Sequence, residues 1–380
     1  MKPVKVALLS DCYLPRLGGI EVQTHDLARA LVALGHEVEV FTATQGADGE
    51  RRGEITVVDG IPVHRLAARL PWQLPINPWA PPELRRRLVG GGFDVAHVQT
   101  GVVSPFAWDA TRVTLRLGLP TAMTWHCMLA DLAPVFDAGR FVRRWAARGV
   151  AMSAVSDVAA EPLRRLVEPG STVSVLPNGI DVSRWAAGPV ARPPGPLRLV
   201  TAMRLAKRKR PAALVGVVAQ AEALAGAGAI TLTILGEGPE RSRVERHVRE
   251  HDLGWVRLPG RVSREELRER YAASDVYLSP ARLESFGIAA LEARTVGLPV
   301  IGRTGSGVGE FVHDGVNGLV VSSDSEMASA IASLATDLDR VAEMRAWNVA
   351  HPPEQEWSQV ARLAVGEYHR AISLVRAVSA

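Results

Sequence analysis

Glu284 and Glu292 stand eight residues apart in Glu284-Ser285-Phe286-Gly287-Ile288-Ala289-Ala290-Leu291-Glu292, bracketing a turn, a glycine and the start of an apolar helix. On a continuous helix their carboxylates sit roughly 12 Å apart on neighbouring faces, because each residue rises about 1.5 Å and turns about 100°. That span suits a nucleotide-sugar, with one acid at the hexose and the other at the ribose. Between them, the N–H groups at a helix start offer a seat for a diphosphate. Arg204 and Lys209, in Met203-Arg204-Leu205-Ala206-Lys207-Arg208-Lys209-Arg210, follow the first strand of the second half of the chain. Cations at a strand's carboxyl end, ahead of a helix, can neutralise a departing diphosphate. A solvated basic loop is the alternative, and it fits Lys207 and Arg208 better.

In the first half, Leu14-Pro15-Arg16-Leu17-Gly18-Gly19-Ile20-Glu21 leads from a strand into a helix. Gly18 and Gly19 let the backbone approach an anion at the helix start, although a glycine pair equally serves a tight turn. The stretch is neither a G-x-G-x-x-G fingerprint nor a Walker loop. His126 closes the strand Thr124-Trp125-His126 at its carboxyl end, where it reads as a site residue or as a structural hydrogen-bonder. Asp11 and Asp157, at other strand ends, read as site residues or helix caps. Gly260-Arg261-Val262-Ser263 follows a strand and precedes a helix, so a nucleobase could lie on main-chain groups at Arg261 and Val262. Gly236-Glu237-Gly238-Pro239 reads as a structural turn, and Asp337-Leu338-Asp339 as a chance match to a metal-binding Asp-x-Asp on a surface helix.

The elements that must position these residues are short apolar runs alternating with amphipathic stretches. Strands are predicted at Val4–Leu9, Glu37–Thr42, Val95–Gln99, Thr121–Trp125, Met152–Val155 and Ser174–Leu176, and a helix at Glu21–Leu34. The proline-rich stretch Gly188 to Pro196 reads as a linker. Strands then resume at Leu197–Met203, Ile230–Leu235, Val256–Leu258, Val276–Leu278, Pro299–Ile301 and Leu319–Val321. Helices at Arg210–Leu224, Pro239–Glu250, Arg264–Ala273 and Ile288–Thr295 separate them. Such alternation predicts right-handed βαβ units, and hence two doubly wound α/β halves whose strand carboxyl ends face a cleft. The expected domains are 1–185, joined by the last helix at 356–380, and 186–355.

At 380 residues the chain exceeds one ordinary core. Its net charge of +4 is modest, but arginine outnumbers lysine and clusters locally, a pattern that favours anionic ligands or surfaces without demanding nucleic acid. Cys12 and Cys127 are its two cysteines, too few for a disulfide framework, and no Cys/His spacing suggests zinc. A reducing cytoplasm is the simplest setting. The first apolar run is too short for a signal sequence, and no later run has transmembrane length, so any membrane contact is expected to be peripheral.

These residues together resemble retaining glycosyltransferases of family GT4, with the two-Rossmann-domain GT-B fold. The resemblance is carried by Gly18-Gly19-x-Glu21, the Thr-x-His at His126, Pro177-Asn178-Gly179-Ile180-Asp181, Arg204 with Lys209, Gly260-Arg261-Val262 and the Glu284…Glu292 motif. Gly297-Leu298-Pro299-Val300-Ile301 and Trp357 complete it, so it covers nearly the whole chain in family order. It implies that Glu284 and the backbone of Ser285, Phe286, Gly287 and Ile288 face the donor sugar and phosphates. Glu292 would bind ribose, Arg204 and Lys209 the diphosphate with Gly18 and Gly19 nearby, and His126 the sugar. It also implies metal-independent catalysis without a cofactor, and a final helix that returns to the N-terminal domain.

One departure stands out. The family usually places glycine after the lysine, and here Arg210-Pro211 follows Lys209.

The implied reaction moves a hexose from a nucleoside diphosphate to an acceptor hydroxyl by a front-face route. GDP-mannose is the leading donor, by similarity to actinobacterial mannosyltransferases, with transfer from a UDP-hexose to a small-molecule or polysaccharide acceptor second. Ser263, Glu265 or a backbone carbonyl could read guanine. Leu70-Pro71-Trp72-Gln73-Leu74-Pro75-Ile76-Asn77-Pro78-Trp79, with Arg85-Arg86-Arg87, fits either an anionic membrane surface and a lipid-linked acceptor or a plain surface loop; Arg140, Arg143, Arg144 and Arg148 could extend that patch. A phosphorylase and a silent nucleotide-sugar sensor are the readings from other classes.

Overall fold

The computed structural model describes residues 2–16, 18–49, 53–68, 76–129, 140–188 and 194–379. Residues 70–75 of the tryptophan-proline stretch and 189–193 of the linker lie outside these. Contacts divide the chain into two units, Met1–Gly179 with Gln355–Ala380, and Ile180–Glu354.

Unit 1 holds an eight-stranded sheet of β1 (Lys5–Ser10), β2 (Glu37–Thr42), β3 (Glu54–Val58), β4 (Ile61–Arg65), β5 (Val95–Thr100), β6 (Thr121–Trp125), β7 (Ala151–Ala154) and β8 (Val173–Val175). Their order is β3-β4-β2-β1-β5-β6-β7-β8, and all pairs are parallel except β3 with β4. The parallel strands read as near-continuous apolar runs because helices cover both faces. Val6, Leu8, Val40, Val63 and Val95 are buried among Leu27, Leu31, Val360, Val365 and Tyr368, so the Trp357–Ser379 helix fills part of the unit 1 core.

The hairpin of β3 and β4 is absent from the strands expected above. Its turn is Asp59-Gly60, with φ of 48° and 80°. Asp-Gly is the residue pair that a two-residue turn of left-handed backbone favours, so the signal was present in the sequence.

Unit 2 holds six parallel strands: β9 (Leu197–Ala202), β10 (Ile230–Leu235), β11 (Val256–Gly260), β12 (Val276–Leu278), β13 (Val300–Arg303) and β14 (Gly318–Val321). The order is β11-β10-β9-β12-β13-β14. Both sheets therefore have the doubly wound, Rossmann-like arrangement. The core centres on Leu199, Leu232, Ile234, Leu278 and Ile301 against Leu214, Val218, Met327 and Ile331. Burying each such side chain contributes about 1.5–3 kcal/mol.

Strand order reverses between β1 and β5 in unit 1 and between β9 and β12 in unit 2. Connections leave such a pair in opposite directions, which opens a crevice at the carboxyl ends, where open α/β sheets bind ligands.

Candidate active site

In unit 2 the loops after β9 and β12 carry the residues with charge to offer. After β9, Lys207–Lys209 forms a 3-10 turn, and Arg210 takes a left-handed backbone with φ 59° and ψ 40°. The Lys209 ammonium donates to the Glu284 carboxylate. Their side chains are 23% and 16% exposed, so this pair is better shielded than a surface ion pair of little worth. A diphosphate arriving here would share the ammonium with Glu284.

Residues 284–292 are not one helix, and the 12 Å helical spacing does not apply to the two glutamates. The helix spans Ile288–Val296, and Gly287 ahead of it is left-handed at φ 95°. A Cβ on Gly287 would lie 2.9 Å from Val308 Cγ2. The turn is fixed from outside by Gly307, whose N–H donates to the Glu284 carbonyl at 2.8 Å. A Cβ on Gly307 would fall 2.2 Å from the Ser285 carbonyl oxygen. The Phe286 ring is buried, with its centroid 5.6 Å from that of Phe311, so Phe286 can serve a ligand only through its backbone. In the first turn the Ala290 and Leu291 N–H groups donate to the Gly287 carbonyl at 2.9 and 3.0 Å, so only the amides of Ile288 and Ala289 are left with no intrahelical carbonyl within reach. Gly307 shapes this candidate site without having been expected to from the sequence. Its signal was the run Gly305-Ser306-Gly307-Val308-Gly309 at the end of β13.

Glu292 lies a turn into the helix and is buried, with Arg264 Nη2 at 3.6 Å from Oε1. Arg264 also stands 5.7 Å from the Trp185 ring. Arg204 and Arg261 are exposed beyond β9 and β11, and Val262 is half-buried. A Cβ on Gly236 would fall 2.0 Å from the Met203 carbonyl oxygen, and one on Gly238 2.4 Å from that of Leu205, so this turn supports the strand end that leads to Arg204. Both side chains proposed to read guanine are engaged within the protein. The Ser263 hydroxyl accepts the Glu266 N–H at 3.1 Å, and Glu265 accepts from Arg184 at 2.6 Å.

In unit 1, Gly18 precedes the Gly19–Ala33 helix with extended backbone. A Cβ on Gly18 would meet the Glu21 carboxylate at 2.4 Å, and Glu21 is itself buried in the first helical turn, 3.4 Å from Arg16. An acid there complements the positive end of the helix. His126 follows β6, with Nε2 2.6 Å from Gln99 Oε1. Burial lowers its pKa to about 4, partly offset by Asn178. Together with Gln23, Gln99, Thr124, Asn178 and Trp357 it lines a cavity of about 20 Å³, room for about one water.

Asp11 is a cap, accepting the Phe106 N–H at 2.9 Å and the Ala107 N–H at 3.4 Å. Its burial raises the pKa to about 6. Asp157 pairs with Arg164 at 2.8 Å, and Asp337 caps a helix by accepting the Arg340 N–H at 3.0 Å. Among the described residues no group of His, Cys, Asp and Glu could hold a metal ion. Lys209, Glu284 and the Ser285–Ile288 backbone thus converge on the unit 2 crevice, and His126 sits beside the unit 1 crevice.

The sequence profile of Glycosyltransferase Family 4 matches residues 17–184, and that of Glycosyl transferases group 1 matches residues 188–346. The chain belongs to this glycosyltransferase family. The glycosyltransferase is 27% identical to a D-inositol 3-phosphate glycosyltransferase of Pseudarthrobacter chlorophenolicus, covering 93% of this chain and 91% of that one. It is 26% identical to a GDP-mannose-dependent alpha-mannosyltransferase of Mycobacterium tuberculosis, covering 89% and 90%. Its fold is similar to that of Anabaena HepE in complex with UDP and glucose, with TM-score 0.71, 17% identity and coverage of 96% and 98%. It is a hexosyltransferase with the GT-B fold.

Proposed function

We propose that this enzyme transfers mannose from GDP-mannose to an acceptor hydroxyl with retention of configuration, and that Glu284 and Lys209 form the centre of the donor site. The Lys209–Glu284 pair at the β9/β12 switch point, beside the helix start at Ile288, carries this reading. The bond from the anomeric carbon to the diphosphate oxygen breaks, and the acceptor oxygen takes its place on the same face. The acceptor proton passes to the departing phosphate. Lys209 and the Ile288 amides stabilise the charge that develops on the diphosphate, so positive charge is supplied without a divalent metal. A carboxylate held by Lys209 is a poor nucleophile, which favours this route over two successive inversions through Glu284.

Arg204 supplements Lys209 at the diphosphate, and Glu292 takes the ribose hydroxyls while Arg264 steadies its carboxylate. In this reading Arg261 and Val262 flank the base, while Gly18, Gly19 and His126 of unit 1 are donor contacts that the family resemblance implies. The mannosyltransferase relative supports GDP-mannose, whereas the HepE complex keeps a UDP-hexose as the second reading.

The acceptor reading is a glycolipid hydroxyl presented at an anionic membrane. Trp79, Phe141, Arg85, Arg144 and Arg148 are exposed on unit 1 in support of it. Arg87 does not contribute, because it is buried against Glu83 and His64. Among the described residues no helix is long and apolar enough to cross a membrane.

A thermal-shift panel of nucleotides and nucleotide-sugars tests the donor. GDP and GDP-mannose should raise Tm, corresponding to about 2.7 kcal/mol at a hundred times Kd. Selective stabilisation by UDP species would move the assignment to a UDP-hexose, and no response to any nucleotide would remove the donor site altogether.

A further inference from the structure

Arg210 occupies a backbone conformation that a bulky side chain seldom adopts. Its φ of 59° is left-handed, the region where glycine rests without penalty. Pro211 behind it, the first residue of the Pro211–Ala225 helix, disfavours the right-handed alternative for the residue before it. The turn is therefore imposed by its surroundings, and the surroundings are specific. Arg210 Nη1 donates to Asp324 Oδ1 at 2.9 Å, and Nη2 donates to Asp324 Oδ2 at 2.5 Å, a forked pair. Nη1 also reaches the Pro280 carbonyl at 3.2 Å.

One guanidinium thus ties together three strand ends. Lys209 and Arg210 lie after β9, Pro280 after β12, and Asp324 after β14. Pro280 lies on the same loop as Glu284, the carboxylate that Lys209 grips. Arg303, buried at the end of β13, also contacts Asp324, and Arg282 lies 4.0 Å from it. This single carboxylate gathers several cations. The burial of Arg303, with Arg210 and Arg282 close by, makes its charge less favourable.

We infer that Arg210 is a positioning residue: its fork on Asp324 holds the left-handed turn that directs Lys209 at Glu284. A glycine would adopt this turn unaided; here an arginine is held in it by a side-chain clamp. The inference rests on the donor-site reading of Lys209, and it adds a residue that touches neither sugar nor phosphate.

The test uses the full-length protein with Arg210→Ala, Arg210→Gly, Asp324→Asn and, as a floor, Lys209→Ala. At saturating donor, Arg210→Ala and Asp324→Asn should lower kcat about ten- to a hundredfold with donor KM within about twofold, the signature of misplaced transition-state charge. Arg210→Gly should retain kcat within about threefold, because glycine keeps the turn without strain. A parallel measurement needs no turnover: acetylation of Lys209 by acetic anhydride, followed by peptide mass spectrometry. It should rise severalfold in Arg210→Ala and stay near wild type in Arg210→Gly. Unchanged kcat in Arg210→Ala, a loss confined to KM, or a glycine variant as impaired as the alanine variant would each overturn the inference. A lower Tm with wild-type kcat in the folded fraction would do so too, since it would make the clamp merely structural. If the wild type transfers no sugar, the proposed function fails, and the labelling pattern alone decides the role of Arg210.

Discussion

His126 and His97 are both buried in unit 1, and burial lowers their pKa values to about 4 and about 3. His97 hydrogen-bonds Thr124 at 2.7 Å and Tyr368 at 3.0 Å. Both imidazoles are therefore neutral at pH 7, and His126 can offer a ligand a hydrogen bond but not a charge. In the unfolded chain each titrates near its ordinary value of about 6.5. Between that value and about pH 4 the unfolded chain takes up protons that the folded chain refuses, so acidification favours unfolding. Asp11 works in the opposite sense: its folded pKa of about 6 lets it hold a proton that the unfolded chain releases, so its contribution is lost as pH rises through that value. One carboxyl opposes two imidazoles. Tm should accordingly fall as pH is lowered from 7 to 4.5, and the fall should be shallower in His126→Gln. A variant with the same slope as wild type would show that burial does not lower the His126 pKa in the folded state.

At the scale of elements, the turn at 284–287 is shaped by the loop after β13. A methyl group on Gly307 would collide with the Ser285 carbonyl oxygen and the Phe286 Cα, at 2.2 and 2.6 Å. Gly307→Ala should cost about 1–3 kcal/mol of stability, as overpacking does, by denaturant titration. It should also weaken nucleotide-induced stabilisation, because the turn that presents the Ile288 amides must shift. A wild-type denaturation midpoint and nucleotide response would mean that the loop yields freely.

This dependence explains what the sequence could disclose. Ile230–Leu235, Thr121–Trp125 and the helix start at Ile288 were legible because local apolar pattern decides them. The geometry between Glu284 and Glu292 was not, because the left-handed Gly287 is set against Val308, and Ser285 and Phe286 against Gly307, contacts distant in sequence. Arg210 misled in the same way. A helix beginning at Arg210 was expected, yet its side chain is drawn to Asp324, and the helix begins at Pro211. The placement of Lys209, Glu284 and His126 beyond strand carboxyl ends was legible from residue type and strand position, features that survive ignorance of the turns. Gln99 beside His126 carried no such signal, because its contact with His126 is assembled by the sheet.

At the scale of the molecule, two doubly wound sheets each carry a reversal of strand order with polar residues beside it. Unit 1 also exposes Trp79, at 63%, and Arg85. If an anionic bilayer presents the acceptor, the protein should float with liposomes containing anionic lipid, and less so at high salt. Trp79→Ser with Arg85→Glu should reduce flotation without altering nucleotide-induced stabilisation. Equal recovery with neutral and anionic liposomes would count against a membrane acceptor.

The Trp357–Ser379 helix lends Val360, Ala364, Val365 and Tyr368 to the core of unit 1, whose other parts end at Gly179. Unit 2 is a single uninterrupted stretch, Ile180–Glu354. On the ribosome the order of emergence and the order of completion therefore diverge. Unit 1 appears first but waits, with His97 lacking its Tyr368 partner, until the residues beyond unit 2 have been made. Unit 2 has all its strands in hand before that moment. Of the two units, the one begun first is the one completed second.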